Sequence, residues 1–175
     1  MKLLCALLLS FTVLTTAVAQ DDDYVFAVNE CIENNGTLAY YDTVLDAMFL
    51  DFKTEFQANN IPNSVWETVE KEKKYAKEGL ATMLSRAYKE HFTLQDLELM
   101  NELYASKTGQ NMLQNKSLSK KDKAYLDRFY NSATGKKIQN TQSEMSASLR
   151  RLAKIWINNT SNKVATILSE KGYSL

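Results

Sequence analysis

Apolar residues recur at steps of three and four along most of this chain, the period of an α-helix with one buried face. The clearest run is Leu38, Tyr41, Leu45, Met48, Phe49, Phe52 and Phe56, while Asp42, Asp46, Asp51, Lys53 and Glu55 fall mostly off that stripe. Before it, Tyr24 to Asn34 reads as a short helix carrying Val25, Val28, Cys31 and Ile32 on one face. Asn34-Asn35-Gly36 stops it, because Asn and Gly tolerate the left-handed conformation used in helix C-caps. After the stripe, Asn59-Asn60-Ile61-Pro62-Asn63 interrupts the pattern, and Ser64 with Glu67 reads as a capping box that opens a helix from Val65 to about Glu90. Its inner stripe is Trp66, Val69, Lys73, Ala76, Leu80, Met83, Leu84 and Ala87. Glu67/Lys71 and Glu70/Lys74 stand at i,i+4 on the other side, so the charged run Glu70 to Lys74 reads as a solvated face.

The most specific pattern is an internal repeat. Phe92–Met112 aligns with Leu118–Ile138 at a constant offset of 26, without gaps, with identities Asp96/Asp122, Tyr104/Tyr130, Ser106/Ser132, Thr108/Thr134 and Gly109/Gly135. Thr93 and Ser119 are placed to N-cap a helix with Asp96 or Asp122 at N3, where a carboxylate faces the positive end of the helix dipole. That helix ends near Tyr104 or Tyr130, Ser106 or Ser132 caps the next one, and Gly109 or Gly135 falls in its first turn, where a missing side chain permits close approach. Each copy is a helix–corner–helix unit. Two copies are too few for a solenoid, so they are expected inside one bundle. A long closing helix from about Ala133 to Glu170 follows, with a bend expected at Asn158-Asn159-Thr160 and release of the chain at Gly172.

Composition agrees with an all-α, single-domain helical bundle: 175 residues hold only 5 Gly and 1 Pro, so loop-rich architectures are disfavoured. Gly79 is the one glycine inside a predicted helix, and a close helix crossing is expected there. Acidic and basic residues balance at 21 each, so the net charge argues for neither nucleic acid nor cation buffering. Met1-Lys2, an apolar run from Leu3 to Val18 and Ala17-Val18-Ala19 read as a signal peptide, residues 1–19, cleaved after Ala19. The run is short for a membrane span and Asp21-Asp22-Asp23 follow it, so an integral membrane protein is not expected. The remaining organisation is an N-terminal segment with a short helix (20–37), the helical domain (38–171) and a tail (172–175). Cys5 belongs to the signal without a lipobox, which leaves Cys31 as the one thiol of the exported chain. It reads as a small buried hydrophobe, with a disulfide between chains as the alternative.

His91-Phe92-Thr93 followed by Asp96-Leu97, then Leu103-Tyr104-x-Ser106-x-x-Gly109, resembles the signature of the bacterial family called domain of unknown function 2059. Phe129-Tyr130-x-Ser132-x-x-Gly135-Lys136-Lys137 is similar to the latter half of the same signature, and Ile61-Pro62-x-x-Val65-Trp66 suits its layout. The resemblance covers roughly Leu38 to Trp156 and leaves open which copy is the counterpart. It implies a helical, exported protein and carries no catalytic residue. The proline usual after the Ser or Thr is Lys107 in one copy and Ala133 in the other, which implies a less rigid corner.

The sequence carries little recognisable chemistry. His91 is the only histidine, which excludes two-His metal sites, and it reads as a polar residue at a helix end. No G-x-S-x-G elbow is present, and Thr134-Gly135-Lys136-Lys137 lacks both the first Gly and the final Ser or Thr of a phosphate loop. No catalytic residue, metal site or cofactor is assigned. Ser132, Gly135, Lys136 and Lys137 remain a candidate contact for an anion or a partner, because free N–H groups at a helix start can hold a carboxylate or phosphate. Thr93, Asp96, Tyr104, Ser106, Gly109, Ser119, Asp122 and Tyr130 read as the structural corners, with both tyrosines packed in the core. The expected function is a non-enzymatic exported module of the bacterial periplasm or envelope that binds a protein, peptide or lipid partner. An envelope hydrolase or transferase, and lipid- or chaperone-like binding through the Leu38–Phe56 stripe, are the alternatives. A polar pocket gathering His91 with carboxylates would favour an enzyme, and an apolar groove would favour binding.

Overall fold

The computed structural model describes the backbone of residues 11–173 and the side chains of residues 22–173. Met1 to Ser10, with Cys5 and the start of the signal reading, lie outside the described residues. Eight α-helices follow one another without a strand among the described residues: α1 Phe11–Asn34, α2 Thr37–Glu55, α3 Asn63–Glu70, α4 Glu72–Lys89, α5 Leu94–Ala105, α6 Lys107–Leu113, α7 Lys120–Asn131 and α8 Ala133–Glu170. The chain is an all-α helical bundle closed by a 38-residue C-terminal helix.

The inner face of α1 is Tyr24, Ala27, Val28, Cys31 and Ile32, all buried, whereas Val25 points outward. The phase differs from the expected face because α1 docks on both α4 and α5, and Tyr24 is turned in to donate from its hydroxyl to the Phe92 carbonyl at 3.0 Å. Cys31 is fully buried and unbridged. Burial pushes its thiol up to about 12 despite the neighbouring Tyr88 hydroxyl, so the reactive thiolate is suppressed. In the native protein Cys31 should resist a thiol reagent such as Ellman's and react only on unfolding. A native, non-reduced sample should run without a disulfide-linked dimer on denaturing electrophoresis.

Gly36 takes φ +80 between α1 and α2, the left-handed turn its sequence context predicts. Tyr41, Leu45 and Phe49 are buried along α2 and Phe56 just beyond its end, with Tyr41 edge-on to Trp156 of α8. The predicted Ser64–Glu67 capping box does not form. Helix α3 already starts at Asn63 behind Pro62, which takes an extended conformation (φ −61, ψ 149) and supplies no side-chain cap. The expected continuous helix to Glu90 is also divided at Lys71. With that break, Glu70 reaches Lys53 of α2 (2.8 Å) and Lys73 (2.9 Å), and Lys73 reaches Asp46 of α2 (2.9 Å). Part of the charged run therefore ties α2 to α3 and α4 instead of facing solvent alone. Each such exposed pair contributes at most about 1 kcal/mol.

Helix α8 runs unbroken through Asn158-Asn159-Thr160, where Thr160 is buried and donates to the Trp156 carbonyl at 2.9 Å. Gly172 (φ +88) does not release the chain. The Gly172 amide bonds the Ser169 carbonyl and the Tyr173 amide bonds the Leu168 carbonyl, both at 2.9 Å, a Schellman-type cap that returns Tyr173 to the core.

Candidate functional site

The two helix–corner–helix units are built from the same bonds at an offset of 26. Thr93 Oγ1 accepts from the Asp96 amide (3.2 Å) while Asp96 Oδ2 accepts from the Thr93 amide (2.9 Å). Ser119 and Asp122 repeat this at 3.1 and 2.9 Å. Ser106 Oγ accepts from the Gly109 amide at 2.9 Å and Ser132 Oγ from the Gly135 amide at 3.1 Å. Lys107 and Ala133 each occupy the first helical position after their capping serine, where a proline is permitted but a side-chain cap already fixes the corner.

The copies then exchange partners. Thr134 of the second corner donates to Asp96 Oδ1 at 2.7 Å, and its counterpart Thr108 of the first corner donates to Asp122 Oδ1 at 2.6 Å. Each capping carboxylate is thus gripped by the opposite copy, an arrangement close to two-fold symmetry. Asp96 alone also accepts from the Lys137 ammonium, because the residue equivalent to Lys137 is Asn111. Burial pushes the Asp96 carboxyl up, but Lys137, the Thr93 amide and the Thr134 and Thr93 hydroxyls outweigh it and hold the acid well below the usual carboxylate range. The Ser119 and Thr108 hydroxyls and the Ser119 amide hold Asp122 down at about 2.

Both carboxylates are therefore ionised, saturated with donors and unsuited to proton transfer near neutral pH. Of the residues grouped above as an anion contact, Gly135 is buried with its amide held by Ser132, and Lys137 is bound to Asp96. Lys136 is the exposed member of that group. Tyr104 is largely enclosed, and its phenol is pushed well up by burial and by Cys31 and Tyr130 beside it. Tyr130 donates to the Met112 sulfur at 3.5 Å. His91 sits in the turn after α4, with Nε2 enclosed and unbonded among the described residues. Among those residues no group of three or more His, Cys, Asp or Glu side chains is placed to hold a metal ion.

A different feature faces outward between α4 and α8. A cleft of about 210 Å³ is lined by Tyr75, Ala76, Gly79 and Met83 on one side and Trp156 and Thr160 on the other, with Glu72 and Lys163 at its rim. Trp156 is held from two sides: its indole donates to the Ala76 carbonyl at 2.7 Å while its ring stacks edge-on with Tyr41. Gly79 does not mark the expected helix crossing. A β-carbon there would meet nothing within 4 Å, so the residue neither relieves crowding nor answers a positive φ. His91 does not line this cleft.

The periodicity places Trp156, Ala76 and Met83 on inward stripes but does not show that α4 and α8 leave a gap between them. The repeat flags Thr108 and Thr134 as identities without revealing that they serve opposite copies. Compared with known proteins, the chain matches no family model, no curated protein and no solved structure. Among the described residues no helix is long and apolar enough to cross a membrane.

Proposed function

We propose that this is a non-enzymatic binding module of an exported helical protein, related to the bacterial family called domain of unknown function 2059, and that the cleft between α4 and α8 receives an apolar side chain of a peptide or protein partner. The observation that carries this reading is Gly79. A glycine inside a helix costs about 1 kcal/mol relative to alanine, and here no neighbour needs the space. The open wall leaves room for an occupant. Around it the lining is mainly apolar and aromatic with a few polar rim groups, the make-up of a small recognition pocket. The export signal near Ala19 and the family motifs support placement in the periplasm or envelope. The corner carboxylates, engaged in holding the two copies together, support a role without catalysis.

Two substitutions at Gly79 separate structure from function, alanine reading the helix and leucine the cleft. Helix stability should rise by about 0.5–1 kcal/mol, read as a higher urea midpoint, while Gly79→Leu should fill the cleft. With Trp66→Phe leaving Trp156 as the reporter, a scanned set of short peptides bearing single Leu, Phe or Tyr residues should include members that change its emission saturably. Gly79→Leu should abolish that change. If no apolar peptide perturbs Trp156, or if binding is indifferent to Gly79→Leu, the cleft is not the binding site.

A further inference from the structure

The balanced net charge conceals a segregation along the chain. Residues 1–102 hold 17 of the 21 acidic residues and 8 of the 21 basic ones, whereas residues 103–175 hold 4 and 13. The first part is therefore at −9 and the second at +9. The sharpest contrast lies between the two equivalent helices of the repeat. Helix α5 has Asp96, Glu98 and Glu102 and no basic residue, while α7 has Lys120, Lys121, Lys123 and Arg128 against Asp122 and Asp127. Glu102 and Arg128 are counterparts at the offset of 26, so related positions carry opposite signs.

Among the described residues no ion pair neutralises Glu30, Glu98 or Glu102 on one face or the basic residues of α7 on the other. In the acidic part, Lys53, Lys73, Lys74 and Lys77 are all in ion pairs. On the outside of α7, Lys120, Lys121, Lys123 and Arg128 are exposed and make no ion pair among the described residues. Helix α7 projects them outward because Asp122 is turned in toward Thr108. On α1 and α5, Glu30 and Glu98 flank a cleft that also contains Phe26, a phenylalanine 64% exposed, and Glu102 lies one turn further along α5. Exposed like charges set side by side repel one another, and an opposite surface removes that cost.

We propose that the chain associates with further copies of itself head to tail, the basic outer face of α7 in one copy docking on the acidic face of α1 and α5 in the next. A second copy is the occupant that both faces share: each chain presents one basic face and one acidic face, and the net charge of zero removes overall repulsion between copies. The aliphatic stems of the α7 lysines can lie over Phe26 while their ammonium groups meet Glu30, Glu98 and Glu102. Such an interface joins two different surfaces, so it does not close on a pair, and the assembly lengthens with concentration.

Sedimentation velocity of the intact chain tests this. At about 0.01 M salt, where screening is weak, the average mass should climb with protein concentration, and at about 1 M salt it should return to that of the monomer. Lys120→Glu with Lys121→Glu and Lys123→Glu should abolish association, as should Glu30→Lys with Glu98→Lys and Glu102→Lys. All six positions are exposed, and far-ultraviolet circular dichroism should show unchanged helix. Mixing the two charge-reversed proteins should restore association, which neither shows alone. A monomer at every concentration in low salt overturns the proposal, as does association that survives high salt or either reversal. Flotation of a monomeric chain with phosphatidylglycerol vesicles, lost on reversal of the α7 lysines, would also overturn it by assigning the basic face to an anionic membrane.

Discussion

Gly135→Ala should cost this protein about 3 kcal/mol or more of folding stability, read as a fall of roughly 10 °C in melting temperature for a chain of this size. A β-carbon at Gly135 would stand 2.2 Å from the Phe129 carbonyl oxygen and 2.5 Å from the Tyr130 Cα. Both are backbone atoms, so no side-chain rotation relieves the clash and the corner itself must open. Opening it breaks the Ser132 cap on the Gly135 amide and the bond from the Ser132 amide to the Phe129 carbonyl. These bonds start α8, which packs against α3, α4, α5 and α7. Gly109→Ala meets an equal obstruction, 1.9 Å from the Leu103 carbonyl oxygen. Its loss should be smaller, since it begins the seven-residue α6, which can yield locally. Urea unfolding of the two variants beside Gly79→Ala measures the ordering, and a stable Gly135→Ala protein would refute the packing described for the corner.

Asp96→Asn should have the second large effect, a loss of about 3 kcal/mol at neutral pH. The carboxylate is buried and accepts from the Thr93 amide and hydroxyl, the Thr134 hydroxyl and the Lys137 ammonium. An amide keeps the shape but loses the charge, and its NH₂ group turns a donor toward donors. The penalty should include weakened docking between the two copies, because Thr134 lies 38 residues from Asp96 in the chain. Asp122→Asn, at a more exposed carboxylate that bonds no lysine among the described residues, should lose less.

The same two acids set the pH dependence. Their carboxyls are lowered in the folded protein, Asp122 to about 2 and Asp96 well below the usual range. An unfolded aspartate titrates near 3.9. Between those values the unfolded chain binds more protons than the folded one, so stability is fully present above about pH 5 and declines as pH falls through 4 toward 2. Urea midpoints at neutral pH and near pH 3 should show this decline, and Asp96→Asn should flatten it.

Most of the helices and the two corner caps were legible in the sequence because each depends on contacts within a few residues. A hydroxyl caps an amide three positions on, a carboxylate reaches back by the same distance, and an apolar stripe follows from 3.6 residues per turn. That local logic also produced the errors. Ser64 and Glu67 have the spacing of a capping box, yet the helix starts two residues earlier, at Asn63 behind the extended Pro62. Glu70 and Lys74 have the spacing of a helical pair, yet Glu70 bonds Lys53 and Lys73. Equal totals of acid and base hid two faces of opposite sign, although the order of the charges along the chain records them.

What the residues could not disclose is how the two corners meet. Asp96 and Asp122 look alike in their own turns, and packing alone buries Asp96 and places Lys137 beside it. Thr108 and Thr134 are identical at the offset of 26, but only the crossing of the two copies sends each hydroxyl to the other's carboxylate. Gly79 likewise reads as a crowded crossing in a linear pattern and stands open beside Trp156 once α4 and α8 are set apart. Hydrogen bonds within a turn are specified by neighbours in sequence, whereas burial, exchange between copies and empty space depend on how whole helices pack.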